Sequence, residues 1–265
     1  MHARLHILKL NRSFAPELAV LLLASLFFVG CGGGTPGPGT TSSSSNPNSS
    51  SPASSAGPDE FTFAGYTWEK DSGTAPPVGN VNGNVGTFSP ANVSAGSELI
   101  LTLQQAEQDG GILSSGAEVH TKQRFSYGTF QFTSWVSAAV SGTTASGFLF
   151  TNNSQTEIDM EQTGNRPYAV DCTNWSGLAS YQDTEVTGFD QLQPHEFKII
   201  WQPDEVDWYV DGQLVVTHTE SVPSAPAPFL FNVWGTNNSA WGGWATAGVA
   251  RRMHISSFSY TPPVS

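Results

Sequence analysis

Between residues 98 and 260, apolar and polar side chains alternate in runs of five to nine residues: 98–103, 128–136, 197–201, 206–210, 213–217 and 253–260. Successive side chains on a β-strand point to opposite faces, so each run predicts a strand with one apolar and one polar face. The runs are rich in aromatic and β-branched residues, which pack well on a pleated, half-buried surface. Asp211-Gly212 separates two of them, the spacing of a tight hairpin whose turn needs positive φ. No apolar periodicity of 3.6 residues persists beyond a few turns, and no repeat is visible, which disfavours a propeller or a β-helix. The pattern predicts an all-β domain, a β-sandwich of the jelly-roll kind.

The N-terminal third reads differently. Arg4, Lys9 and Arg12 precede an apolar run at 18–29 (LAVLLLASLFFV), which is shorter than the ~20 residues that cross a bilayer. It ends in Phe28-Val29-Gly30-Cys31, small residues before a cysteine, as in a cleavable export signal. Residues 1–31 resemble a bacterial lipoprotein signal, in which that cysteine is lipidated, although Phe28 stands where Leu is usual. Gly32 after Cys31 implies, by the same resemblance, outer-membrane anchoring, and ordinary cleavage nearby would instead leave a secreted or periplasmic protein. Residues 32–58 are Gly, Ser, Pro, Thr, Asn and Ala without a charge. Such a segment buries too little to offset its ordering entropy and acts as a tether; its 27 residues have a coil reach of about 30 Å.

Residues 59–265 are one domain's worth of chain and hold all eight Trp. Net charge is −12 and becomes −14 once Arg4, Lys9, Arg12 and Glu17 leave with residues 1–31. Nucleic acid and anionic membrane surfaces are poor partners for such a body, whereas a neutral polysaccharide is compatible. Cys172 is the one cysteine of the domain, so no disulfide framework is expected, and the thiol reads as a small buried hydrophobe.

Candidate chemistry centres on Glu157-Ile158-Asp159-Met160-Glu161. On a strand the three carboxylates share one exposed face, with Ile158 and Met160 in the core behind. Like charges in a row are unfavourable, which points to use. Cα atoms four residues apart are separated by roughly 13 Å, and side chains leaning together leave carboxyls about 5–6 Å apart, the separation of a retaining glycosidase. Asp159 between them would raise a neighbour's pKa and orient the nucleophile. A solvated polar strand face and a hard-cation site are the competing readings; one strand supplies few ligands for a cation.

Glu157-x-Asp159-x-Glu161 resembles the E-x-D-x-E signature of glycoside hydrolase family 16, the jelly-roll family of lichenases, laminarinases and their transglycosylase relatives. The resemblance extends to Glu118-Val-His-Thr-Lys122, Phe125-Ser-Tyr-Gly128, the stretch Trp201-Gln-Pro-Asp-Glu-Val-Asp-Trp-Tyr-Val-Asp-Gly212, Asn232-Val-Trp234 and Trp241-Gly-Gly243. It implies a concanavalin A-like sandwich with a concave cleft, Glu157 as nucleophile, Asp159 as its assistant and Glu161 as general acid/base. It also implies a cleft lined by Glu118, His120, Asn174, Trp175, Asn232, Trp234 and Trp241. Core packing is the alternative for Trp234 and Trp241, a turn for Asn174, and a surface pair for Glu118 and His120. Trp201, Trp208 and Trp135 are expected mostly in the core, as are Phe148 and Phe150. The motif is unbulged, as in lichenases and not in laminarinases, but Gln155 and Thr156 replace the Trp-Asp that precedes it in lichenases, and His120 replaces a common Arg. The expected activity is endo-acting, retaining cleavage of β-glucan by a monomer. The resemblance implies no required cofactor and allows a structural calcium. A transglycosylase on the same scaffold and a non-catalytic lectin-like binder are the rivals.

Overall fold

Where the sequence alternates, the backbone pairs. The computed structural model describes residues 59–75, 85–151 and 155–263; the expected signal (1–31, with Cys31) and the expected tether (32–58) lie outside the described residues. In chain order the strands are β1 (Glu60–Phe63), β2 (Tyr66–Lys70), β3 (Gly73–Ala75), β4 (Val85–Phe88), β5 (Val93–Ala95), β6 (Leu99–Gln108), β7 (Gly111–Thr121), β8 (Gly128–Val136) and β9 (Thr143–Phe150). There follow β10 (Glu157–Thr163), β11 (Ala169–Trp175), β12 (Tyr181–Thr187), β13 (His195–Trp201), β14 (Val206–Val210), β15 (Gln213–His218), β16 (Phe229–Gly235) and β17 (Ala250–Thr261). Among the described residues the helical content is a 3-10 turn at Pro90–Asn92. The fold is the expected all-β sandwich.

One sheet runs β1-β2-β7-β16-β9-β10-β11-β12, antiparallel throughout. The other runs β3-β4-β7-β6-β17-β8-β13-β14-β15, with β5 on the edge of β6 and one parallel pairing, β4 with β7. The long strand β7 belongs to both: its first half pairs with β4 and β6, its second half with β16 and β2. At the crossing sits Gly116, where a Cβ would lie 2.3 Å from the Val233 carbonyl oxygen, so a side chain would push the sheets apart. Three two-residue hairpins, Ala64-Gly65, Asp109-Gly110 and Asp211-Gly212, have positive φ at both turn residues, the geometry that matches strand twist. The third is the hairpin read from sequence.

The core between the sheets is aromatic. Phe132 touches Phe197, Phe229 and Phe231 at centroid distances of 5.4, 5.7 and 5.2 Å, and Trp68 stacks on Phe231 at 5.4 Å. Ile158 and Met160 lie in this core, as do Trp201 and Trp208. Trp135 does not: it is half-buried on the far side of β8, its ring stacked on His254 at 5.0 Å. Cys172 is a free, fully buried thiol, its pKa pushed well up by burial, which leaves it unreactive at neutral pH. Arg251 is a polar exception inside, donating to Thr143 Oγ1 and Gln191 Oε1 at 2.9 Å each; burial lowers its pKa to about 9.

Candidate active site

Register carries the period-two argument across six strands. Glu157, Asp159 and Glu161 of β10 project from the face opposite Ile158 and Met160. Glu157 stands between Phe150 and Trp175, Asp159 between Phe148 and Thr173, and Glu161 between Ser146 and Asp171. One strand further, Tyr181, Asp183 and Glu185 of β12 continue the rows. On the other side Leu230, Asn232 and Trp234 of β16 follow, then His120 and Glu118 of β7. Trp208 reaches through from β14 and its Nε1 donates to the Asp159 carbonyl (3.0 Å), pinning the strand from beneath.

The row is not exposed, as the sequence suggested, but recessed. Glu157 and Asp159 are 3% and 5% exposed, and Glu161 is half-buried. Removing carboxylates from water disfavours their charge. Burial, then the charges of Glu157, Glu161 and Asp183, raise the pKa of Asp159 well above the usual range. Burial, then Asp171 and Glu157, do the same for Glu161, partly offset by Arg166. Both shifts favour the protonated carboxyl.

Beside Glu161 lies a charged group absent from the sequence reading. Arg166, in the β10–β11 connection, makes a two-pronged ion pair with Asp171, one arm at 2.9 Å, and a second pair with Glu185. Asp171 also accepts from Trp241 Nε1 at 3.2 Å. Asp183, bonded by the Thr173 hydroxyl at 2.8 Å, is raised to about 6 by burial and by Asp171. These residues alternate as Asp171-x-Thr173 and Asp183-x-Glu185, so the same period-two reading applied to β11 and β12 would have found them.

The expected cleft residues divide. Glu118, His120, Asn232 and Trp175 lie on the carboxylate face. Asn232 Nδ2 donates to Glu118 Oε2 (3.1 Å), and Glu118 is raised to about 8 by burial and by Asp71. His120 Nδ1 lies 2.9 Å from Asp71, a bond that raises its pKa against the opposing effect of burial. Trp175 stacks on Tyr181 at 4.3 Å. Asn174 does not reach this face. It alternates inward, fully buried, donating to the Glu220 and Ser221 carbonyls (2.9 and 2.7 Å) while its Oδ1 lies 2.7 Å from His218 Nδ1. Trp234 and Trp241 are on the right side but are 5% exposed each, packed on one another at 5.6 Å and against Ala75 and Phe88. Their rings form a small second core instead of an open platform. Conversely Phe148 and Phe150, expected inside, stand on the carboxylate face. Thr156, buried just before the motif, donates to the Ala225 carbonyl at 2.6 Å and so anchors a loop. Ser146 Oγ and Asn232 Oδ1, beside Glu161, are buried and make no hydrogen bond among the described residues.

The model of glycosyl hydrolases family 16 matches residues 82–256, a stretch that contains β10 and all the expected cleft residues. The chain belongs to glycosyl hydrolases family 16. Within this family, a β-glucanase of Acetivibrio thermocellus is 31% identical over 180 residues, 65% of this chain and 52% of that protein. The chain thus spans about half the length of the curated relatives it matches. A β-glucanase of Bacillus licheniformis superposes with a TM-score of 0.65 at 25% identity, covering 78% of this chain and 100% of that chain. The laminarinase catalytic domain of Thermotoga maritima superposes at 0.60 with 22% identity over 75% of this chain and 92% of its own, a likeness of fold alone.

Proposed function

We propose that this family 16 chain is an endo-acting β-glucanase that cleaves β-1,3-1,4- or β-1,3-linked glucan with net retention. The observation that carries this reading is the recessed row on β10, in which Glu157, Asp159 and Glu161 share one face and burial and neighbouring carboxylates raise the pKa of Glu161. In the first step a Glu157 carboxylate oxygen bonds to the anomeric carbon as the glycosidic C–O bond breaks, and the Glu161 proton passes to the leaving oxygen. In the second, Glu161 takes a proton from water, the water oxygen bonds to the anomeric carbon, and the sugar–Glu157 ester breaks. Asp159, charged only at a cost, keeps negative charge on the row low until the transition state develops positive charge on the sugar. No cofactor enters either step.

The unbulged register of β10, with Glu157, Asp159 and Glu161 each paired directly on both sides, supports the lichenase-like branch and a mixed-linkage substrate. The carboxylate-rich face and a net charge of −12 favour a neutral polymer over a polyanion. The domain is 59–265, exported and held by lipidated Cys31 through the 32–58 tether, and working as a monomer; Cys31→Ala should move the protein from the membrane fraction to the soluble one. A polysaccharide panel with linkage analysis of the products, beside Glu157→Gln and Glu161→Gln controls, tests the enzymatic reading. New reducing ends from mixed-linkage glucan, absent in Glu157→Gln, are expected; binding without new reducing ends in the unaltered protein would overturn it.

A further inference from the structure

An open groove of about 580 Å³, lined by none of the residues of the carboxylate row, lies between the β6–β7 hairpin and the loop that follows β16. One wall is the hairpin tip, with Glu107, Gln108 and Asp109 all exposed; the other carries Asn237 and Trp244. Trp244 is 48% exposed, against 5% for Trp241 three residues earlier on the same loop. The loop is braced, so this exposure is built in. Gln105 Nε2 donates to the Gly142 carbonyl (2.8 Å), Gln105 Oε1 accepts from Thr246 N (3.3 Å), and Gly142 N donates to the Gly242 carbonyl (2.7 Å). At Gly142, with φ of +82°, a Cβ would lie 2.3 Å from the Trp244 carbonyl oxygen, so the backbones are in direct contact there.

An indole held half out of the protein above a polar groove is suited to the apolar face of a ring whose edges are polar. The hairpin tip supplies carboxylates, which accept hydrogen bonds, and an amide, which does both. Negative charge on one wall admits a neutral polyhydroxyl ligand and repels an anionic one. We propose that this groove is a second sugar-binding site, which holds a segment of neutral β-glucan against Trp244 while another segment of the polymer occupies the β10 face. The inference rests on the glucanase reading above. Its effect is avidity: two weak contacts on one polymer bind more tightly than either alone, provided both are engaged together.

The test uses the full-length chain. Electrophoresis through gels containing mixed-linkage β-glucan, β-1,3-glucan or xyloglucan should retard the Glu157→Gln protein in at least one. Adding Trp244→Ala should weaken that binding by at least about tenfold, and Trp244→Phe should restore much of it. On a short chromogenic oligosaccharide, too small to span both sites, Trp244→Ala with Glu157 intact should keep kcat/KM within about twofold of the parent. Retardation that survives Trp244→Ala, or no retardation in any gel, would overturn the proposal. So would a short-substrate kcat/KM that falls as far as polymer binding, because Trp244 would then belong to the catalytic face. Failure of the glucanase reading shows separately, as no reducing ends from any polysaccharide with the unaltered chain, whatever the gels report.

Discussion

The two faces of β10 are made of alternate residues of one strand and obey opposite rules. Ile158 and Met160 enter a core of interlocked aromatic rings. Glu157, Asp159 and Glu161 enter a recess where burial, and the charge of Glu157, raise the cost of charge on both Asp159 and Glu161. The inner face is optimised for burial; the outer face keeps an arrangement that burial penalises. Local stability given up on a strand otherwise so well supported marks where function resides.

The comparison breaks most sharply at Glu157. Glu157→Gln should lower turnover of β-glucan by roughly 10³–10⁶-fold while the melting temperature stays level or rises, since one member of a crowded acidic row becomes neutral. Reducing-end assays beside thermal melts read both effects; a parallel loss of folding would dissolve the contrast. One residue along, Ile158→Ala should do the reverse, costing about 2–5 kcal/mol of stability in urea unfolding with kcat/KM of the folded fraction nearly unchanged. Arg166→Met sharpens the outer face alone. Arg166 lowers the pKa of Glu161, so its removal should move the alkaline limb of the pH–rate profile upward, with little change in the acid limb.

The smallest expected effect concerns Glu118. Burial and Asp71 raise it from the usual 4.5 to about 8, so the folded chain binds this proton more tightly than the unfolded one. Its contribution to stability is complete below pH 4.5 and is lost as pH rises through 8. Glu118→Gln should therefore come nearest the parent's melting temperature below pH 5 and exceed it near pH 9, the gap widening as pH rises between the two. Equal melting curves at both pH values would place Glu118 in water.

Much of this was legible in the chain itself. The strands at 128–136 and 206–210 coincide with β8 and β14, and the Asp211-Gly212 turn is where its dipeptide puts it. Runs read too short, such as 98–103 within β6, continue to Gln108, because the far end of that strand is held by pairing with β7 and carries little apolar signal of its own. Asn174 and Trp175, which the resemblance puts together in the cleft, are adjacent on β11 and face opposite ways, so only Trp175 meets the carboxylate row. Phe148 and Phe150 flank the carboxylates, where Phe148 is buried as an apolar side chain should be and Phe150 is half-buried.

By itself the sequence determined what depends on neighbouring residues: that the domain is all-β, that Glu157, Asp159 and Glu161 share a face, and where Gly permits a hairpin. Period two is a local property of the backbone, so these features needed no partner. Only the tertiary structure decided which face of β11 and β12 meets that row. It also set Arg166, Asp171 and Asp183 beside Glu161, enclosed Trp234 and Trp241, and left Trp244 outside. Register is a hydrogen-bonded agreement between strands far apart in the chain, and a shift of one residue exchanges the faces of every side chain it carries.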